Sequence, residues 1–290
     1  MGTLRSSLKV LVTGSEGFLG RHICAALKER GHEVVGLDSA PTAEVVADIT
    51  KVLPMMGLDG IIHLAAVASP NICTANPELA FSVNVLGTHQ VLRLALRSGA
   101  KKFVFSSTAH VYDIPPRYLP TDEVHPLRLN NVYTTTKILG EQLCQLFYEN
   151  HGLSYTTLRL FNVYGPGQKA GYFIPDMIEK ARGREITLNS SNTTKDFVYV
   201  DDVARAFCAA VETPYVGAIN IGSGIETQLR DIADVIAAAA GTTANGWNTS
   251  NATRMQANRQ RAKQVLDWEP TVSLEEGLDR TINVFKAVPV

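Results

Sequence analysis

The 290-residue sequence has no surplus of either charge: 27 lysines and arginines stand against 28 aspartates and glutamates, a formal net charge of −1. Without a global basic field, a role on nucleic acid or anionic lipid is disfavoured. Long hydrophobic runs are missing too, and the most apolar stretch, Val235 to Ala240, is short and alanine-rich, so no membrane span is expected. Cysteines are few. Cys24, Cys73, Cys144 and Cys208 form no CxxC pair, which argues against a disulfide framework or a zinc site and makes a reducing cytoplasm the expected location. No polybasic segment accompanies Met1-Gly2 and Ser6, so their match to the loose N-myristoylation pattern is read as a short leader. Leu8–Thr13 follows as a first strand rather than as part of a signal peptide. Four Asn-x-Ser/Thr sequons, at Asn189, Asn192, Asn248 and Asn251, have no secretion signal ahead of them and belong to polar loops. What the chain does have is 45% hydrophobic residues, enough over this length to bury a large core in one large or two smaller domains.

The first half alternates short β-branched runs with longer helical ones. Strands are predicted at Lys9–Thr13, Glu33–Leu37, Val45–Ala47, Ile61–Leu64, Phe103–Ser106 and Tyr155–Leu160, and helices at Gly17–Arg30, Leu79–Ser98 and Tyr133–Glu149. Apolar strands alternating with helices mean a doubly wound α/β fold, a parallel sheet covered on both faces. After Asn162 the texture changes. Gly165-Pro-Gly167 and Pro175 break the rhythm, Phe197–Val200 and Ala218–Ile221 read as strands of the main body, and Thr227–Ala240 and Arg259–Leu266 as helices. Residues 1–165, with 196–222 returning to them, are therefore expected to form a Rossmann domain. Residues 166–195 and 223–290 form a small, partly interleaved C-terminal cap.

Gly14-Ser-Glu-Gly17-Phe-Leu-Gly20 lies between the first strand and the first helix. In this GxxGxxG variant Gly14 permits the tight turn, Gly17 lets backbone N–H groups and the helix N-terminus approach a pyrophosphate, and Gly20 lets helix pack on strand. Asp38 ends the second strand, where a carboxylate can accept both ribose hydroxyls of an adenosine and would repel a 2′-phosphate; Ser39 and Ala40 offer no arginine. The combination implies NAD rather than NADP.

Tyr133 and Lys137 sit at i and i+4 of a predicted helix, so phenol and ammonium share one face. Bringing a tyrosine from its usual pKa of about 10 to about 7 takes roughly 4 kcal/mol of preferential stabilisation, which a nearby cation in a half-dry cleft can supply. Ser106-Ser107-Thr108 closes the strand ahead of it, at the carboxyl end where such folds bind ligands.

Taken together these residues resemble the extended short-chain dehydrogenase/reductase superfamily, in its NAD-dependent epimerase/dehydratase branch acting on nucleotide sugars. The resemblance runs from about Lys9 to Gly277. It is carried in order by Gly14/Gly17/Gly20, Asp38, Asp48-Ile49, His63-Leu-Ala-Ala66, Asn84, Ser106-Ser-Thr108, Tyr133/Lys137, Arg159-Leu-Phe-Asn162-Val-Tyr-Gly-Pro166, Asp196-Phe-Val-Tyr-Val-Asp-Asp202 and Asn220-Ile-Gly222. It implies that Thr108, Tyr133 and Lys137 are catalytic. It implies a cofactor site of Gly14, Glu16, Gly17, Phe18, Leu19, Gly20, Asp38, Asp48, Ile49, Leu64, Ala65, Ala66, Asn84, Ser106, Phe161 and Val163, with Tyr133 and Lys137 also on the cofactor and Lys137 holding the nicotinamide ribose. Thr108, Asn162, Phe173, Lys195 and Arg254 are implied on the substrate, a nucleotide-diphosphate sugar. A homodimer paired through Leu79–Ser98 and Tyr133–Glu149 is implied as well.

The implied chemistry is oxidation of a sugar carbon to a keto-sugar and its re-reduction. Relatives that dehydrate carry Asp-Glu after the threonine; here Ala109 and His110 stand there, so dehydration, and the decarboxylation that uses a glutamate at the second place, are disfavoured. An epimerase leads, ahead of a net dehydrogenase or ketoreductase of a sugar nucleotide or small alcohol, and of a cofactor-sensing protein without catalysis. His110 is open between a proton shuttle and a loop residue bonded to backbone. The chain is short for this branch between Asp38 and Ile61 and between Gly241 and Asn258. The family's usual aspartate is Asn258 here, and its usual arginine before Asp196 is Lys195.

Overall fold

The computed structural model describes residues 7–54, 56–183, 186–187, 192–246 and 252–287; the leader 1–6 and the sequons at Asn189, Asn248 and Asn251 lie outside them. In chain order the elements are β1 (Lys9–Thr13), α1 (Phe18–Glu29), β2 (Glu33–Asp38), β3 (Val45–Val46), β4 (Gly60–His63), α2 (Pro70–Ala75), α3 (Pro77–Phe81), a π-helical stretch Ser82–Gly87, α4 (Thr88–Ser98) and β5 (Lys102–Thr108). They continue as a short turn of helix at Ala109–Val111, α5 (Val132–His151), β6 (Ser154–Leu160), β7 (Asn162–Tyr164), α6 (Phe173–Arg182), β8 (Ile186–Thr187), β9 (Thr194–Lys195), β10 (Phe197–Tyr199) and α7 (Val200–Glu212). The last are β11 (Gly217–Ile221), β12 (Thr227–Gln228), α8 (Leu229–Ala239), β13 (Ala244–Asn245), α9 (Gln260–Leu266) and α10 (Leu274–Ala287).

Seven strands form one parallel sheet in the order β11-β6-β5-β4-β1-β2-β3. The chain winds outward from β1 through β2 and β3, then resumes at β4 on the other side, so the order reverses between β1 and β4. Ligands of such sheets bind in the crevice at the carboxyl ends beside that reversal. Alternation along the strands sorts the core into two layers. Val10, Val12, Ile62, Val104 and Leu158 face α1 and α7, with Ile23, Leu27 and Phe207 fully buried between them. Leu11, Leu37, Ile61, Phe103 and Phe105 face α4 and α5. A third cluster, outside the sheet, packs Ile174, Met177, Phe197, Tyr199, Leu229, Ile232, Ile236 and Leu278 among α6, α8 and α10.

The doubly wound parallel sheet agrees with the sequence, and some details differ. Phe197–Tyr199 is not in the main sheet but pairs with Asn162–Tyr164 in a separate parallel ladder, Phe197 opposite Asn162. The helix expected from Leu79 starts at Pro77, where Asn76 caps it by accepting from the Leu79 N–H, and a π-helical stretch interrupts it. Another helix precedes it, starting at Pro70 under a Ser69 cap. Both prolines occupy first-turn positions, where the missing N–H costs nothing. Helices α6, α7 and α10 go beyond the expected elements; α6 carries Pro175 in its first turn and α7 follows β10 with no loop between.

Lys102 is a buried cation at this sheet, 6% exposed, donating to the Tyr215 carbonyl at 2.5 Å and to Ser154 Oγ at 3.3 Å. Burial lowers its pKa to about 7. Between about pH 7 and 10.5 the unfolded chain therefore binds a proton that the folded one does not, so this site's penalty on folding is largest below pH 7 and fades as pH rises. Lys102→Met is expected to stabilise the protein by about 2 kcal/mol at pH 6 and by little at pH 10, read from denaturant midpoints at the two pH values.

Candidate active site

A cleft of about 980 Å³ opens at the carboxyl ends of the strands. Its floor at one end is the turn between β1 and α1. Gly14 has φ +74°, and a Cβ on it would lie 2.9 Å from the Ala65 nitrogen, so the turn and the loop after β4 can approach only because no side chain stands between them. Helix α1 begins at Gly17 with no side-chain cap, leaving its first-turn N–H groups to face the cleft. Asp38 stands beside this turn. Its carboxylate accepts from the Glu16 N–H at 3.0 Å and the Ala40 N–H at 3.1 Å while still lining the cleft. Asp48 and Ile49 form the far wall. The Asp48 carboxylate takes both the N–H and the hydroxyl of Thr50, which lower its pKa. These residues fit a dinucleotide: bare helix-terminal donors for a pyrophosphate, and a carboxylate at the end of β2 for ribose hydroxyls.

At the other end stand Ser106, Thr108, Tyr133 and Lys137. Helix α5 is set by a reciprocal cap, Asn131 accepting from the Thr134 N–H while Thr134 Oγ1 accepts from the Asn131 N–H. That cap puts Tyr133 and Lys137 in the first turns, next to the end of β5. Lys137 is 5% exposed, donates to the Ser106 carbonyl at 2.8 Å and lies 6.0 Å from the centre of the Tyr133 ring. Burial lowers its pKa to about 8, against the raising influence of Cys73, Glu141 and Cys144. The expected downward pull on Tyr133 is reversed in the protein itself. Burial, then the neighbouring Tyr172, pushes the phenol well above its ordinary value, and only the Thr108 side chain works the other way. The ammonium is directed at a backbone carbonyl rather than at the phenol.

Among the described residues the cleft wall also holds Gly17, Phe18, Leu19, Gly20, Leu64, Ala65, Ala66, Phe161, Asn162, Val163, Phe173 and Lys195 from the expected set. Three expected residues are not on it. Glu16 turns its side chain to Thr42 and Arg21. Asn84 is buried, and its amide accepts from the Val67 N–H and donates to the Val67 carbonyl and to Thr136 Oγ1, fixing the loop after β4 to α5. Arg254 is exposed and forked on Glu226, both bonds 2.6 Å. Asn162 donates from its N–H and its side chain to the Asp196 carbonyl, which ties β7 to the segment carrying Lys195. His110 does line the cleft. Its N–H donates to Thr108 Oγ1 at 3.3 Å, and burial followed by Lys195 lowers its imidazole pKa to about 4.

Sequence reasoning passed over Val67–Pro70 and Gln168, Lys169 and Tyr172, all on the wall. The caps and prolines around Pro70 and Pro77 signal the first group, and the Gly165-Pro-Gly167 break the second. Among the described residues no helix is long and apolar enough to cross a membrane, and no cluster of three or more His, Cys, Asp or Glu is placed to hold a metal.

The profile of the NAD dependent epimerase/dehydratase family matches residues 10–222. The chain is 31% identical to UDP-glucose 4-epimerase of Mycolicibacterium smegmatis, over 96% of this chain and 99% of that one. It is 30% identical to UDP-glucuronic acid decarboxylase 1 of Arabidopsis thaliana, over 99% of this chain and 72% of that one. The structure of a Thermus thermophilus UDP-glucose 4-epimerase in complex with NAD superimposes with a TM-score of 0.86 at 28% identity, covering 97% of this chain and 100% of that one.

Proposed function

The chain belongs to the NAD dependent epimerase/dehydratase family, and from that premise we infer that it epimerises a UDP-hexose, with Thr108, Tyr133 and Lys137 as its catalytic residues. The observation that carries this is their placement on one wall of a cleft whose other end is the bare N-terminus of α1. Bound there, NAD supplies the hydride acceptor. The chain's own residues do the rest. Tyr133 Oη takes the proton of the reacting hydroxyl and gives it back, Thr108 orients that oxygen, and Lys137 places positive charge beneath the phenol. Residues 1–165 with 196–222 hold the cofactor, and residues 166–195 and 223–290 close over the sugar nucleotide. Ala109 and His110 offer no carboxylate at the two places where dehydration needs an acid and a base, which favours epimerisation over elimination. Incubation with UDP- and dTDP-hexoses should interconvert a pair of C4 epimers without net reduced cofactor. Stoichiometric NADH release would instead mark a net dehydrogenase.

Lys195 is a cation on the substrate side that supports diphosphate binding, whereas Arg254 is already forked on Glu226. Lys195→Ala should raise KM for the sugar nucleotide about tenfold with kcat little changed, and Arg254→Ala should raise it less than twofold. The exposed Leu79, Leu86, Leu146 and Tyr148 on the α3–α4 and α5 faces support a homodimer through these helices, checked by sedimentation equilibrium. Free thiols at all four cysteines support a cytoplasmic setting.

A further inference from the structure

Directly beneath the row that carries Thr108, a polar row is buried across three strands. Ser107 on β5, Arg159 on β6 and Asn220 on β11 are register partners, 3%, 6% and 0% exposed. Apolar residues would fill such a place more cheaply, since buried ions must be matched group by group. Here the two ions are matched to each other and to polar neighbours. The Glu141 carboxylate accepts from Arg159 Nε at 3.1 Å and Nη2 at 2.7 Å, and its Oε1 also accepts from Ser107 Oγ at 2.5 Å. Arg159 Nη1 donates to Tyr112 Oη at 3.1 Å and to the Glu123 carbonyl at 3.2 Å. Tyr112 Oη donates to Asn220 Oδ1 at 2.5 Å, and the Asn220 N–H donates to Glu123 Oε1 at 2.8 Å.

Glu141 is the one member of this network on α5. It stands at i+4 from Lys137 and i+8 from Tyr133, and so on their face of the helix. Ser107 immediately precedes Thr108. The carboxylate therefore joins the helix bearing the phenol and ammonium to the strand end bearing the hydroxyl. Tyr112 and Glu123 tie in the connection between them. The charged and titratable groups around Lys137 are Cys73 on α2, His63 on β4, and Tyr133, Glu141 and Cys144 on its own helix. Of these, Glu141 is the carboxylate.

We propose that Glu141 is a positioning residue for the reaction: forked on Arg159 and holding Ser107, it fixes Tyr133 and Lys137 against Thr108. This rests on the reading that Tyr133 and Lys137 carry the chemistry, and Tyr133→Phe tests that reading separately. In the NAD-loaded enzyme, Glu141→Gln should lower kcat at least tenfold with KM within twofold. It should also move the basic limb of the kcat–pH profile down by about one unit, because the lost carboxylate and the unpaired Arg159 both disfavour a charged Lys137. Glu141→Asp keeps the charge but shortens the reach. It should lower kcat severalfold with the basic limb unmoved, and it decides the matter where Glu141→Gln does not fold. A lower melting temperature with kcat and its pH profile unchanged in either variant would overturn the proposal, leaving only a structural pair. An active Tyr133→Phe enzyme would overturn the parent reading instead.

Discussion

Tyr133→Phe is expected to lower kcat by about a thousandfold while leaving KM and the melting temperature near those of the parent protein. The ring is retained, so the packing at the start of α5 survives, and what is removed is the oxygen that exchanges a proton with the substrate, a function worth roughly 10²- to 10⁴-fold. The phenol's pKa is held above its ordinary value by burial and by Tyr172. At neutral pH the group therefore stands protonated until positive charge gathers around it, and Lys137, 6.0 Å from the ring, is the cation placed to contribute. Lys137 itself titrates near 8. Its help is present below that pH and is lost above it, so the rate should fall on the alkaline side as the ammonium loses its proton. The groups on the wall that could substitute for Tyr133 are few. His110 is the nearest in sequence to Thr108, and with its pKa lowered to about 4 it is a weak base at neutral pH. Retention of more than a tenth of kcat in Tyr133→Phe, measured as epimer formed per unit time, would place the base elsewhere and make His110 the next residue to replace.

Local sequence signals identified the sheet and the cofactor end of the cleft because both depend on short-range rules. Gly17 and Gly20 answer to steric limits set within one turn, Gly14 to its positive φ, and Asp38 is fixed by the end of β2. The substrate end depends on long-range packing, which no local pattern encodes. Tyr172 and Lys169 line the wall from the loop before α6, and α6 is held by packing with α8. The orientation of Asn84 was likewise hidden. The resemblance implies it next to the cofactor, whereas the π-helical stretch and the loop after β4 show its amide bonded to Val67 and Thr136. The pKa of Tyr133 follows the same division. The i, i+4 spacing gives proximity to Lys137, while the direction of the ammonium is set by the Ser106 carbonyl on a strand that the spacing does not include.

Gly20→Ala tests the short-range part of that argument where its predicted cost is greatest. A Cβ on Gly20 would overlap the Gly14 carbonyl oxygen and lie 2.7 Å from Ser15 Cα, and these are backbone atoms with no rotamer to change. Relief requires α1 to move away from the turn. The helix cannot move freely, because Ile23 and Leu27 are fully buried against β1, β4 and α7. Overpacking of this kind costs about 2–3 kcal/mol, enough to lower the melting temperature by roughly 5 °C in a chain of this size. The same displacement carries the first-turn N–H groups of α1 off the position where a pyrophosphate would meet them. NAD affinity, measured by calorimetry, should therefore fall at least tenfold. Gly57→Ala is the matched control, since nothing lies within 4 Å of the Cβ it would introduce. If both substitutions weaken NAD binding equally, the loss comes from a general property of replacing glycine. If only Gly20→Ala does so, the close approach of helix to turn is what builds the phosphate site.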